Sequence, residues 1–242
     1  MFIETIHWHT LHPRYLNSQS VALNIGANYG QFSERMMEIF SCHCIAVEPS
    51  PVPYEAIPDV PAITKIQAAV AGRSGKMPFH VSSDSVASSL MAKDKLHERT
   101  IDIDVFSLKD LAARLGLERI DLLKMDIEGA EIEALAACDD AFLSKIGQMT
   151  IEFHDFCGLT TPEEVRATLK RLEQAGFFSV RMSGVGHQDT WLINRDMHEI
   201  STAELQAIRH VVRNSAGLKR VVARRLGALN EKFSPAKEHS AK

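Results

Sequence analysis

The chain has 242 residues, of which 45% are hydrophobic and 24% are charged, a composition that is typical of a globular protein and excludes a disordered chain. No stretch reaches the roughly 20 consecutive apolar residues of a membrane-spanning helix, and residues 2–12 lack the basic start and apolar run of a secretory signal. The formal net charge is −4, yet residues 201–242 carry nine basic and three acidic side chains.

The four cysteines show no C-x-x-C spacing and therefore predict reduced thiols in a cytoplasmic protein. Strand alternation places Cys42 and Cys44 on one face and His43 on the other, which argues against a metal site there. We divide the chain into an N-terminal arm (1–19), an α/β domain (20–196) and a basic helical tail (197–242).

From Ser20 onward, short apolar runs alternate with helical patterns, as expected of βαβ units and a mostly parallel sheet. The strands predicted in the first half cover residues 21–26, 43–49, 62–70, 76–81 and 99–107. Helices are predicted over 31–40 and 108–117. The run at 76–81 follows Gly72 and Gly75, which predicts an antiparallel excursion from the main sheet.

The second half repeats the alternation, with strands predicted over 120–125, 148–154, 177–182 and 188–196. A helix is predicted over 128–138, and another begins at Thr161, where a capping hydroxyl, a proline and two acids agree. The last two strands are expected to form a closing β pair. The count fits a seven-stranded doubly wound sheet with one extra strand or hairpin.

The loop after the first strand of this domain is the best candidate for a ligand site, because in such sheets the first βα loop approaches the ligand most closely. It runs from Asn24 to Gly30, and Gly26 and Gly30 allow a tight turn. Glu48 ends the next strand, where a carboxylate can accept both hydroxyls of a ribose. Since the loop is G-x-N-x-G and lacks the pyrophosphate-binding glycine, a cofactor without phosphates fits better than a dinucleotide.

Five motifs occur in order: LNIGANYGQFS (23–33), AVEPSP (46–51), AAVAG (68–72), SSL (88–90) and DLLKMDIEGAE (121–131). Together they resemble the FkbM family of methyltransferases over about residues 20–195. The resemblance implies a Rossmann-like class I methyltransferase fold, with a seven-stranded mostly parallel sheet and a C-terminal antiparallel strand. It also implies S-adenosyl-L-methionine as the methyl donor and a hydroxyl of a sugar or similar metabolite as acceptor.

The cofactor-binding residues that follow from the loop, the acid and the resemblance are Asn24, Gly26, Asn28, Gly30, Glu48, Ala69 and Asp126. Members of this family usually begin the first motif with Asp, whereas this chain has Asn24. The amide keeps an acceptor oxygen but loses the charge that can face the methionine ammonium.

The catalytic candidates lie at the ends of the fourth and fifth strands, where the acceptor must be aligned with the methyl group. Asp126 is the first choice, against the alternative that it caps the next helix. His154 is a candidate general base with an ordinary pKa near neutrality, and Glu152 lies two residues earlier on the same predicted strand face. Chelation of a divalent ion by these three residues is an alternative, but we assign no metal site.

Structural roles are expected for the other polar residues near this edge. Glu128 favours the helix N-terminus, Glu131 is a solvated helix charge or an ion-pair partner, and Lys124 points away from the sheet centre and pairs with an acid. The histidines at positions 7, 9 and 12 are expected in a packed N-terminal arm rather than a metal site.

Other classes of function were compared with this hypothesis. A nucleic-acid base methylase needs a ring that stacks on a flipped base, but the segment after Met125 has none, and the acidic body repels phosphate. We therefore expect a small-molecule or glycan acceptor and no nucleic acid. A non-catalytic S-adenosylmethionine-binding module, a methyltransferase acting on nitrogen or a macromolecule, and a nicotinamide oxidoreductase remain alternatives.

The basic tail is amphipathic over residues 204–229, with Leu205, Ile208 and Val212 at helical spacing. We favour a helical hairpin or homodimer arm packed on the body. The alternative is peripheral docking onto an anionic membrane surface.

Overall fold

The computed structural model describes residues 3–82 and 97–212. Its strands are β1 (Glu4–Ile6), β2 (His9–Leu11), β3 (Val21–Ile25), β4 (His43–Val47), β5 (Ile63–Ile66), β6 (Ala69–Val70), β7 (Gly75–Ser82), β8 (His97–Phe106), β9 (Ile120–Met125), β10 (Ile146–Ile151), β11 (Phe177–Arg181) and β12 (Thr190–Asn194). The α-helices are α1 (Gln31–Phe40), α2 (Pro51–Ala56), α3 (Leu108–Arg114), α4 (Glu131–Ala136), α5 (Asp140–Leu143), α6 (Pro162–Gln174) and α7 (Thr202–Ala207). Residues Pro13–Tyr15 and His154–Phe156 form 3₁₀ turns.

A seven-stranded sheet in the order β11-β12-β10-β9-β3-β4-β5 forms the centre of the molecule. Strands β5, β4, β3, β9 and β10 pair in parallel, whereas β12 is antiparallel to both of its neighbours. The prediction of a Rossmann-like class I methyltransferase fold with a C-terminal antiparallel strand is confirmed. The strand order reverses between β3 and β9, which places the ligand crevice at their carboxyl ends.

Apolar side chains fill both faces of the sheet, because parallel strands are covered by helices on each side. All six residues of β9 and of β10 are buried. One cluster joins these strands to α3, α4 and α6, and a second packs α1 against β3 and β4. In α1, Phe32 and Met36 are buried as predicted, but Ile39 is 39% exposed.

Three predicted elements differ from the structure. The strand predicted over 62–70 is two strands in different sheets, since β6 pairs with β8 in a three-stranded sheet that also contains β7. The strand predicted over 43–49 ends at Val47, and Pro51 begins the short helix α2. The helix predicted over 128–138 begins at Glu131 and ends at Ala136, because Glu128 and Gly129 have positive φ angles.

The predicted N-terminal arm is a β-hairpin formed by β1 and β2. It packs on the main sheet through long-range hydrogen bonds, since the Thr10 hydroxyl donates to Asp189 at 2.7 Å and the His12 backbone N–H donates to Gln148 at 2.9 Å. The two residues between the strands, His7 and Trp8, have left-handed backbones.

The beginning of the predicted tail packs on the body through α7. Leu205 and Ile208 are buried in a cluster that contains Trp191, and Glu204 accepts from His12 at 3.1 Å. Residues 213–242, which hold most of the basic tail, lie outside the described residues, and so does the SSL motif at 88–90. Over the described ranges, none of the helices combines the length and the hydropathy that spanning a membrane requires.

Candidate functional site

The loop between β3 and α1 has a left-handed backbone at three positions, which its glycine and asparagine residues favour. Gly26, Asn28 and Gly30 all have φ angles between +50° and +85°, the left-handed region that favours glycine and tolerates asparagine. A Cβ on Gly26 would lie 1.7 Å from the carbonyl oxygen of Asp126. The missing side chain therefore lets the loop touch the segment that follows β9.

Glu48 anchors this loop from the neighbouring strand. Its carboxylate accepts the backbone N–H of Asn28 at 2.8 Å and that of Ser50 at 2.8 Å. Burial raises the pKa of the Glu48 carboxyl, and the two backbone donors partly offset this. The Ser50 side chain also hydrogen-bonds to this carboxylate. Of the roughly four acceptor positions of a carboxylate, one therefore remains for a ribose hydroxyl.

Two amide side chains of the same loop have acceptor oxygens without a partner. Asn24 is buried and its Nδ2 donates to the Ser33 hydroxyl at 3.0 Å, but its Oδ1 has no hydrogen-bond partner among the described residues, nor has Oδ1 of Asn28. A buried acceptor left unpaired costs free energy. A ligand with N–H or O–H donors would satisfy both atoms.

Ala69, the remaining residue predicted for the cofactor, lies on β6. It is buried and packs with Phe79, Ile103 and Val105 of the three-stranded sheet. The role of Ala69 in cofactor binding stays a prediction.

Asp126 follows the last residue of β9 and lies at the carboxyl edge of the sheet. Its backbone N–H donates to Ile25 at 3.1 Å, which places it beside the loop. Its carboxylate lies 3.5 Å from Lys124 Nζ, 3.6 Å from His154 Nε2 and 4.0 Å from His9 Nε2. Burial alone would raise its pKa, but these three cationic neighbours together lower it.

The alternative role of Asp126 as a helix cap is wrong, because α4 begins five residues later, with Ala130 as its capping residue. Lys124 pairs with an acid, Asp126, as predicted. Its side chain is buried and donates to the carbonyl oxygen of Gly26 at 2.6 Å. Lys124 therefore links the loop between β3 and α1, called the cofactor loop below, to Asp126 at the carboxyl edge of the sheet.

Glu131 organises the segment between β9 and α4. It is fully buried, so the solvated alternative is wrong and the ion-pair alternative is confirmed. Its Oε1 accepts from the backbone N–H groups of Ile127 and Gly129 at 3.0 and 3.3 Å, and lies 2.9 Å from His154 Nδ1. One buried carboxylate thus fixes the loop and orients the histidine.

The prediction that His154 ends a strand with Glu152 on the same face is wrong. Strand β10 ends at Ile151, and His154 lies in the 3₁₀ turn that follows. Burial would lower the pKa of its imidazole, but Glu131, Glu128 and Asp126 outweigh burial and raise it to about 9. The raised pKa favours the protonated form, in which the imidazole donates hydrogen bonds, and the general-base role of His154 stays a prediction.

Two further carboxyl groups, those of Glu128 and Glu152, lie near Asp126 and Glu131. We call these four carboxyl groups the acidic edge. Burial raises the pKa of Glu128 and of Glu152 to about 7, and in each case the neighbouring Asp126 adds to the shift. Glu128 Oε2 lies 3.4 Å from His154 Nε2. The backbone N–H of Glu152 donates to Met125 at 3.0 Å, which places Glu152 beside Asp126.

His9 is a site residue that the sequence did not reveal. It is buried at the edge of Phe32, and its Nδ1 lies 3.3 Å from the Thr150 hydroxyl. Its Nε2 faces Asp126, and ligand atoms of His9, Asp126 and Glu152 all lie within 4.8 Å of one another. The hairpin lies far away in the sequence, so local spacing carried no signal of this contact.

Comparison with known proteins agrees with this arrangement. A family model described as the methyltransferase FkbM domain matches residues 24–178. Methyltransferase sdnD of Sordaria araneosa is 26% identical over 200 residues, which cover 67% of this chain and 75% of that protein. The 31-O-demethyl-FK506 methyltransferase FkbM of Streptomyces tacrolimicus is 33% identical over 101 residues, which cover 42% of this chain and 35% of that protein.

A shorter match joins the chain to a much larger protein. AMB antimetabolite synthetase AmbE of Pseudomonas aeruginosa is 41% identical over 70 residues, which cover 29% of this chain and 3% of that protein. Among solved structures, the fibrillarin/Nop5p complex is similar with 17% identity and a TM-score of 0.45, covering 73% of this chain and 72% of that chain. Because the family model spans both the cofactor loop and the acidic edge, the chain belongs to the FkbM methyltransferase family.

Proposed function

We propose that the protein transfers a methyl group from S-adenosyl-L-methionine to a hydroxyl of a sugar or related small metabolite. The observation that carries the proposal is the junction of Gly26 and Asp126. A cofactor loop and an acidic edge meet there without an intervening side chain. Methyl transfer requires this adjacency, because donor and acceptor must be held in line.

The cofactor side suits S-adenosylmethionine in its chemistry. The ligand carries ribose hydroxyls and an ammonium group, which are donors for Glu48 and for the unpartnered oxygens of Asn24 and Asn28. Asn24 supplies an acceptor without charge, which weakens the contact with an ammonium but does not remove it. When bound, the cofactor supplies an electrophilic methyl group.

On the acceptor side, the Asp126 carboxylate is placed to accept a hydrogen bond from the acceptor hydroxyl and to orient it. Asp126 is 30% exposed, whereas His154 behind it is 4% exposed, so a ligand reaches the carboxylate first. His154 and Lys124 hold Asp126 ionised. Glu152 lies on the same edge and offers a second acceptor for a polyhydroxylated ligand.

The test combines binding and turnover. The full chain is expected to bind S-adenosylmethionine and S-adenosylhomocysteine by calorimetry, and to move a deuterated methyl group onto a hydroxyl-bearing component of a metabolite extract. Asp126→Asn should keep cofactor binding and lose most of the turnover. Binding without transfer to any component would favour a non-catalytic module, and a preference for NAD would favour an oxidoreductase; either result contradicts the proposal.

A further inference from the structure

We propose that Asp126, Glu128 and His154 form a site for one divalent cation, which holds the oxygen of the methyl acceptor. The proposal deepens the proposed function and rests on it for the role of the cation. Candidate ligand atoms of the three residues all lie within 4.8 Å of one another. Neither the family match nor the sequence motifs assign a metal to these residues.

The distances between ligand atoms favour a shared ion over a direct ion pair. His154 Nε2 lies 3.6 Å from Asp126 Oδ1 and 3.4 Å from Glu128 Oε2. Charge-assisted hydrogen bonds are usually about 2.7–2.9 Å long. Two ligands that bind the same ion at about 2.1 Å lie about 3.0–3.4 Å apart, so a small closure of the three groups completes the site.

The far side of His154 is arranged as it is for metal-binding histidines. Its Nδ1 lies 2.9 Å from Oε1 of the fully buried Glu131, and a carboxylate in this position fixes the ring and directs Nε2 toward the ion. Glu131 is itself held by two backbone N–H groups. The ring therefore cannot turn away to leave the site.

The charge at this edge also favours a cation. Asp126, Glu128, Glu131 and Glu152 are four carboxyl groups within one cluster, and Lys124 and His154 are its basic members together with His9. A divalent ion at Nε2 would place two positive charges among these acids.

The ligand set and the exposure define the expected chemistry. Two carboxylates and one imidazole suit ions such as Mn²⁺ and Zn²⁺. The side chains of Asp126 and Glu128 are 30% and 29% exposed, so open coordination positions face solvent and an acceptor oxygen can occupy one of them. A bound cation would polarise that hydroxyl and favour transfer of its proton to water at this solvent-exposed edge, while the oxygen forms its bond to the methyl group.

A second group of candidate ligands, His9, Asp126 and Glu152, lies on the other side of the same carboxylate. It is less suited to a cation, because Lys124 Nζ lies 3.5 Å from Asp126 Oδ2 on that side. His9 Nε2 is also farther from Asp126, at 4.0 Å. The two groups make different predictions for variants, so an experiment can separate them.

The test uses the full chain, freed of metal by a chelator and titrated with Mn²⁺ under calorimetry and electron paramagnetic resonance. We expect one bound ion with a spin-echo modulation from a directly bound histidine nitrogen. Glu128→Gln should weaken binding at least about tenfold, His154→Gln should remove the nitrogen signal, and His9→Gln should leave the affinity within about twofold. Circular dichroism checks that each variant is folded.

Three results would overturn the proposal: no binding at millimolar Mn²⁺, unchanged binding by folded Glu128→Gln, or a loss in His9→Gln that equals the loss in Glu128→Gln. Failure of the proposed function has a different signature, since the chain would then either fail to bind S-adenosylmethionine or bind it without transferring its methyl group. Mn²⁺ binding is measured without that cofactor. The two ideas therefore fail in separate measurements.

Discussion

Two buried histidines lie at opposite ends of strand β10 and differ in the sign of their pKa shift. His198 lies beside Gly147, near the start of the strand, where burial and then Arg119 lower its pKa to about 4. His154 lies just past the end of the strand, and there the carboxylates overcome burial and raise the pKa to about 9. Burial is similar in both places, so the acidic residues make the difference.

The comparison indicates that the carboxyl end of the sheet favours a protonated histidine, whereas at the amino end His198 is held in its neutral form beside Arg119. His198 stacks on Tyr15 with ring centroids 4.1 Å apart. The imidazole of His198 therefore packs as a flat ring against Tyr15. The four predictions below test this difference between the two ends.

The largest effect is expected for Glu131→Ala. The substitution removes the acceptor of two backbone N–H groups and leaves the charge of His154 buried without its nearest partner. We expect the free energy of unfolding to fall by about 3–5 kcal/mol, measured by denaturant unfolding at pH 7. The control is Glu163→Ala in the exposed pair with Arg166, where the loss should stay below about 1 kcal/mol. Equal losses in the two variants would contradict the role of Glu131.

A Gly→Ala substitution should lower the free energy of unfolding more at the carboxyl end of the sheet than at the amino end. In Gly26→Ala the new Cβ would meet a backbone oxygen at 1.7 Å in a left-handed conformation, so we expect a loss of about 2–4 kcal/mol and no cofactor binding. In Gly147→Ala the nearest atom, at 2.7 Å, belongs to the His198 ring, which can shift. We expect about 1–2 kcal/mol there. A greater loss for Gly147→Ala, measured by thermal unfolding, would reverse the comparison.

Glu48→Ala tests the cofactor half of the carboxyl end. We expect S-adenosylmethionine to bind more than about tenfold weaker, since a hydrogen bond to a charged group contributes roughly 1.5–3 kcal/mol. Isothermal calorimetry measures the dissociation constant. Glu55→Ala, on the exposed side of α2, should bind as the wild type does. A folded Glu48→Ala protein with unchanged affinity would remove Glu48 from the cofactor site.

The smallest effect concerns the amino end and the pH dependence of stability. The folded pKa of His198 lies below the unfolded value of 6.5, so the unfolded chain binds the additional proton and stability falls as the pH drops below 6.5. Between pH 7 and pH 5 this group should account for about 2 kcal/mol. His198→Phe keeps a ring against Tyr15 and cannot be protonated. Its unfolding free energy should therefore depend less on pH over that range; an identical slope in both proteins would contradict the assignment.

The seven-stranded sheet could be predicted from the sequence because its signals are local. Apolar runs of strand length alternate with helical patterns, and Thr161 with Glu164 forms the capping box that their spacing predicts. The cofactor loop was predictable for the same reason. Gly26, Asn28 and Gly30 specify a left-handed backbone within seven residues, and Glu48 closes the next strand.

The acidic edge could be predicted only in part. Asp126 was found, but periodicity does not show that Glu128 has a φ of 55° or that α4 starts at Glu131. These features depend on the buried Glu131 carboxylate, whose partner His154 lies 23 residues away. His9 could not be found from spacing, because its partner Thr150 is 141 residues away.

The docking of the N-terminal hairpin has a consequence for the order of events during synthesis. Thr10 is held by Asp189, 179 residues later in the chain, and His12 and Arg14 are held by Glu204. On a ribosome, β1 and β2 therefore emerge before the last strand of the sheet and α7, the segments that hold them, have been translated. The hairpin, which includes His9, can therefore dock only after the α/β domain has been translated. Docking of the hairpin is therefore a late step, which follows the translation of α7.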